Sequence, residues 1–237
     1  MAESVRKNPE GCNNDNDHDN DFRSSFIVIS HNSTNVARNT GPKHRLCRLF
    51  GEKLCDSDKC PAIRRPYKSG VHWQRRSRIS EYGMQLREKQ KAKFLYGLME
   101  RQFRRIYQRA AKERGVTGER LLQLLELRLD NIVFRLGLAQ TRYQSRQFVS
   151  HGFVEVDGKK VDIPSFEVKP GQTIAIRENK KDKKVWEQLK LRLAKYRAPE
   201  WLELDSKNLS GKVLTVPTGN MLETRINPQL IVEHYSR

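Results

Sequence analysis

The stretches RLDNIVFRLG (128–137), TRYQSRQFVSHG (141–152), FVEVDGKKVDI (153–163) and KPGQTIAI (169–176) decide the fold. Leu129, Ile132, Val133 and Leu136 recur at helical spacing, and Gly137 follows them as a stop. Thr141 with Gln144 three residues later is a capping-box pattern that opens a second helix, which Gly152 ends. Arg142 and Arg146 stand one turn apart on it and leave the same side. The period then drops to two. Phe153–Val156 reads as a strand, Asp157-Gly158 as the favoured two-residue hairpin turn, and Lys159–Ile163 as the return strand. Lys169-Pro170-Gly171 is another turn, and Thr173–Ile176 a third strand. The pattern predicts an α+β fold in which a helix–turn–helix lies beside a small antiparallel sheet.

Working outward, Thr117 opens a helix whose Leu121, Leu122, Leu124 and Leu125 make a broad apolar face. Before it, Phe103, Ile106, Tyr107, Ala110 and Ala111 keep helical spacing up to a stop at Gly115. Ser80 is an N-cap for an earlier helix, with Glu81 in its first turn. From Arg38 to about Gly70 the chain is basic and punctuated by Gly41-Pro42, Cys60-Pro61 and Arg65-Pro66, which predicts loops rather than long helices. On the far side a helix is expected over Val185–Tyr196, followed by short strands at 201–204, 212–216 and 230–233. The run NNDNDHDND (13–21) cannot bury apolar area, so residues 1–35 are expected to be a disordered extension. The expected organisation is that extension, a basic loop-rich segment over 36–75, a helical domain over 76–127 completed by 200–237, and a module over 128–199.

Charge narrows the function. Lys and Arg number 46 against 28 Asp and Glu, a formal net charge of +18 on 237 residues. Self-repulsion on that scale opposes a compact chain unless a polyanion neutralises it. No apolar run approaches the ~20 residues of a membrane span, and the basic residues are spread along the chain rather than gathered on one amphipathic helix. Nucleic acid is the favoured partner. The first residues are polar, then acidic, which matches neither a secretory signal nor a transit peptide, so a cytoplasmic protein is expected. No Ser/His/Asp set, carboxylate pair or phosphate-cradling glycine loop is visible, and the chain is not expected to be an enzyme.

RLDNIVFRLG (128–137), GVTGE (115–119) and the ending LIVEHYSR (230–237) together resemble the small-subunit ribosomal protein S-four family of bacterial and organellar type. The likeness covers about residue 36 to the end. It implies a structural constituent of the small subunit that binds the five-prime domain of small-subunit rRNA at a multi-helix junction and nucleates assembly. It also implies a place beside ribosomal proteins S-three and S-five where messenger RNA enters, with an effect on translational accuracy. Folded RNA hides its base edges in a deep groove, so phosphates, 2′-hydroxyls and shape are what basic side chains read. The expected RNA contacts are Lys43, Arg45, Arg48, Arg64, Arg65, Arg75, Arg76, Arg78, Arg87, Lys89, Lys91, Lys93, Arg101, Arg104 and Arg105, with Arg142, Arg146, Lys159 and Lys160 in the module. Tyr82, Phe103 and Tyr107 are expected in the core rather than as stacking platforms.

Two features depart from the family. Many relatives carry four zinc-binding cysteines near the start, whereas here His44 stands first, before Cys47, Cys55 and Cys60. Such a Cys₃His set can close a structural zinc site. VARNTGPK (36–43) resembles the usual first residues of the family, with Val36 in place of the initiator, so translation is expected to begin there. The rival readings are an RNA-modifying enzyme of pseudouridine-synthase type that carries the same module, and a DNA-binding regulator that uses the helix–turn–helix.

Overall fold

The computed structural model describes residues 41–70, 78–181, 185–193 and 195–237. All of them lie within one compact unit, Arg38–Arg237. The expectations for residues 1–35 and for a start at Val36 fall outside the described residues.

The short helix α1 (Lys43–Phe50) begins after Pro42 and stops at Gly51, whose φ of 71° is left-handed. It buries Leu46, Cys47 and Phe50 with Leu54, Cys60 and Ala62 in a small core of its own. Helix α2 (Glu81–Leu95) starts as expected: the Ser80 hydroxyl accepts from the Gly83 N–H. Helices α3 (Glu100–Lys112) and α4 (Thr117–Glu126) follow, and with α2 they enclose a core of Leu95, Leu98, Phe103, Leu121 and Leu125.

Helix α5 (Leu129–Arg135) and helix α6 (Arg142–Ser150) form the helix–turn–helix. Thr141 Oγ1 accepts from the Gln144 N–H, but the Gln144 side chain reaches the N–H of Gln140 rather than that of the cap residue. Strands β1 (Val154–Val156), β2 (Lys159–Lys160) and β3 (Thr173–Ile176) come next. Asp157 (φ 50°) and Gly158 (φ 76°) both take the positive φ that a type I′ turn requires. The Asp157 carboxylate then accepts from the Thr173 N–H and the Gln172 amide, which ties the third strand to the turn. The return strand is shorter than expected, and the chain then turns at Pro164, where the Phe166 N–H donates to the Ile163 carbonyl.

After α7 (Val185–Leu193), strands β4 (Leu202–Asp205) and β5 (Ser210–Val213) pair with each other, and β5 pairs with β3. The result is one antiparallel sheet in the order β2-β1-β3-β5-β4. Its inner face packs on Leu129, Ile132, Val133 and Leu136 of α5 and on Trp186, Leu189 and Trp201. Gly211 sits where β5 meets α5: a Cβ there would press into the Leu136 side chain and lie 2.9 Å from the Glu203 carbonyl oxygen.

Two expectations need correction. Residues 200–237 do not serve the helical domain as one block: β4 and β5 extend the sheet, while Leu222, Ile226 and Ile231 pack on the α2–α4 core. Residues 230–233 are not a strand but part of helix α8 (Pro228–Ser236). Asn227 caps it through the Gln229 N–H and Pro228 takes the first turn, where a missing N–H costs nothing. Ile231 and Tyr235, one turn apart, then face the helical core.

Candidate nucleic-acid interface

The expected cations divide into two populations. On α3, Arg101, Arg104 and Arg105 are exposed, as are Arg45, Arg64, Arg65, Arg78 and Lys159, and none of these forms an ion pair among the described residues. Spacings of three and four put the three α3 arginines on one helix face, opposite buried Phe103 and Ala110. The neighbouring acids do not compensate them. Glu100 holds Lys89 and Lys93 at 3.0 and 3.1 Å, and Glu88 and Glu52 hold Lys91. The α3 face is therefore left with bare positive charge.

The second population already has partners within the protein, and several of its members are buried. Lys89 and Lys91 are 7% and 6% exposed and paired with carboxylates. A cation removed from water needs an opposite charge beside it, and these lysines took the protein's own. Arg142 is buried as well: its Nε donates to Asn131 Oδ1, its Nη2 to Glu223 Oε2, and its guanidinium stacks 4.5 Å from the Phe134 ring. Arg146 is half-buried beside Asp130. Arg48 and Arg87 donate to backbone carbonyls of Tyr67, Lys68 and Phe50, so they brace the N-terminal loops. Lys93 is half-buried on Glu100, exposed Lys160 lies 3.8 Å from Asp162, and Lys43 stands 3.7 Å over the Tyr143 ring. Arg75 and Arg76 lie outside the described residues. Phe103 is in the core as expected and Tyr107 stacks on Tyr235 at 4.4 Å, while Tyr82 remains half exposed beside His234.

Arg142 belongs to a network that positions the module against the helices. Glu126, fully buried, accepts from Tyr96 Oη, Asn131 Nδ2 and the Nε and Nη2 of Arg135. Glu223 accepts from Arg135, Arg142 and Arg225. Asp130 takes a two-pronged contact from Arg128. Burial by itself would raise the Glu223 carboxyl, but the Arg225 hydrogen bond and the charges of Arg225, Arg135 and Arg142 outweigh it and hold the pKa at about 2. Burial and the adjoining Glu126 charge push the Tyr96 phenol well above its ordinary range. Of this network, sequence reading singled out only Arg142 and Arg146. Its one visible signal is Glu126 inside the apolar LLQLLEL run (121–127), a carboxylate placed where only a partnered one is tolerated.

His44, Cys55 and Cys60 bring their ligand atoms within 4.8 Å of one another, and His44 Nδ1 is 3.7 Å from Cys55 Sγ. Ligand atoms around a tetrahedral zinc stand about 3.5–3.8 Å apart, so the three fit. Cys47 is buried beside them and shares a hydrogen bond with the Cys55 thiol, though it lies outside that mutual set. Burial, with the adjoining thiols of Cys60 and Cys47, pushes the Cys55 thiol up to about 12, so without a cation it keeps its proton.

Comparison with known proteins agrees with this architecture. The family profile described as "Ribosomal protein S4/S9 N-terminal domain" matches residues 38–126, and that of the "S4 domain" matches residues 127–174. Proteins named small ribosomal subunit protein uS4 from Thermoanaerobacter sp. (strain X514) and Dictyoglomus turgidum are each 51% identical, over 85% of this chain and 100% of their own length. The relative of the same name from Acetivibrio thermocellus is 48% identical over the same shares. The N-terminal profile and these relatives are named as ribosomal constituents rather than catalysts, and no helix among the described residues is long and apolar enough to cross a membrane. With half of all aligned positions identical across the full length of these relatives, the chain belongs to the uS4 family of small ribosomal subunit proteins.

Proposed function

We propose that this protein binds the five-prime domain of small-subunit rRNA at a multi-helix junction and helps to nucleate assembly. The observation that carries the reading is the α3 face, where Arg101, Arg104 and Arg105 are exposed without carboxylate partners among the described residues. Each guanidinium can bridge two phosphate oxygens, and neutralising phosphates releases counterions. In this reading the buried network holds the helical region and the S4 module at a fixed spacing, so that both present cations to one folded RNA. Arg45, Arg64, Arg65, Arg78, Lys159 and Lys160 extend the contact surface. Neighbours in the particle are ribosomal proteins S-three and S-five and messenger RNA near its point of access, which makes an effect on decoding accuracy part of the proposal. The segment around His44, Cys47, Cys55 and Cys60 would hold one structural zinc, which closes the loops after α1 and offers no open position for chemistry.

Filter binding of a five-prime-domain transcript tests this. The triple variant Arg101→Ala, Arg104→Ala, Arg105→Ala should weaken binding, and the slope of log affinity against log salt should become shallower by about 2–3. Unchanged affinity and slope would refute the reading.

A further inference from the structure

One cation of α3 is not bare. Arg109 stands one turn beyond Arg105 and leaves the helix on the same side. Lys112, two turns beyond Arg105, is exposed there as well. Both outer nitrogens of the Arg109 guanidinium, Nη1 and Nη2, donate to the carboxylate of Glu167 in the module, while its Nε donates to Glu113 at 3.2 Å. Glu113 in turn accepts from Arg120. Water reaches the contact, for 54% of the Arg109 side chain and 34% of that of Glu167 are exposed.

Two observations separate this pair from a structural tie. First, the loop that carries Glu167 is fastened to the chain between α4 and α5 without it. The Leu129 N–H donates to the Phe166 carbonyl at 2.8 Å, the Val168 N–H donates to the Leu127 carbonyl at 3.0 Å, and Val168 is buried in the module core. An ion pair so exposed adds little stability to a loop already held in that way. Second, its geometry is that of phosphate recognition. A guanidinium offers two N–H groups to two oxygens of one anion, and carboxylate and phosphate accept them alike. Glu167 therefore sits where two phosphate oxygens would sit, on a cation that follows three with no carboxylate partner among the described residues.

We propose that Arg109 is a further phosphate-binding cation of the α3 face and that Glu167 holds it in reserve, as an internal competitor of the RNA backbone. A phosphodiester that reaches the outer nitrogens must displace the Glu167 carboxylate, so in the wild type this contact is only partly made. Nε stays on Glu113, which keeps the guanidinium aimed outward. The protein thus binds RNA less tightly than its α3 cations allow. The inference rests on the RNA-binding reading and deepens it, since it assigns that face a further residue and a restraint.

Filter binding of the five-prime-domain transcript to the full chain tests this. Glu167→Gln keeps the shape of the side chain without its charge, and Glu167→Ala removes the acceptor altogether. Each should tighten binding about fivefold and steepen the slope of log affinity against log salt by up to about 1, because one more phosphate is neutralised. Both variants should melt with wild type, since the backbone hydrogen bonds of the loop remain. Adding Arg109→Met to Glu167→Gln should return the slope to the wild-type value or below. Glu200→Gln, which removes an exposed carboxylate that holds no cation among the described residues, should leave affinity within about twofold. Glu167 variants that bind no tighter than wild type, or that bind more weakly and melt earlier, would overturn the proposal and make the pair a strut. An equal gain with Glu200→Gln, or a steeper slope that survives the loss of Arg109, would overturn it too. A wild type that ignores the transcript would instead sink the ribosomal-RNA reading on which the inference stands.

Discussion

Replacing Glu223 by Gln isolates the charge that joins the C-terminal segment to the module. Glu223 is 7% exposed and is held by Arg225, Arg135 and Arg142, with its carboxyl at about 2 against an ordinary 4.5. A depressed carboxyl stabilises the fold fully above the unfolded pKa and loses that contribution as pH falls through the folded one. Each unit is worth about 1.4 kcal/mol, so the stabilisation at neutral pH is on the order of 3 kcal/mol and disappears between about pH 4.5 and pH 2. Gln keeps the shape and one acceptor oxygen but has no charge to lose. Urea unfolding followed by far-ultraviolet circular dichroism, from about pH 7 down to pH 2.5, measures the gap between wild type and variant. The gap should be largest at neutral pH and close toward the acid end. A gap that stays constant across that range would refute the reasoning, because it would mean that shape, not charge, carries the contact.

Gly211→Ala should destabilise the module by about 2 kcal/mol and lower the melting temperature by roughly 4–8 °C, since the added methyl meets Leu136 and the Glu203 carbonyl. A variant that melts with wild type would show that β5 can shift away from α5. Purified native protein should carry one zinc by elemental analysis, and a chelator or Cys60→Ser should lower its unfolding midpoint. Protein that holds no metal and ignores added zinc would end the metal assignment.

The local framework was legible because its signals are short-range. Ser80 and Thr141 cap where they were expected to, and Asp157-Gly158 turns the hairpin because its positive φ values are a property of two adjacent residues. Residues 230–233 read as a strand in the sequence because a short apolar run carries no period of its own. Asn227-Pro228 outside it set the helix, and the α2–α4 core supplied the face for Ile231 to cover.

The candidate site divides along the same line. The sequence by itself determined that the chain is cationic, where several of its helices begin, and that a helix–turn–helix precedes a hairpin. It also placed Arg101, Arg104 and Arg105 on one face, since helical spacing alone does that. Only the tertiary structure decided which cations remain available. Lys89, Lys91 and Arg142 read in the sequence like their exposed neighbours, yet each sits beside carboxylates brought near by folding: Glu100 and Glu52 for the lysines, and Glu223, eighty-one positions away, for Arg142. Charge composition is a sum along the chain, whereas the free energy of a buried ion depends on what lies within a few ångströms of it.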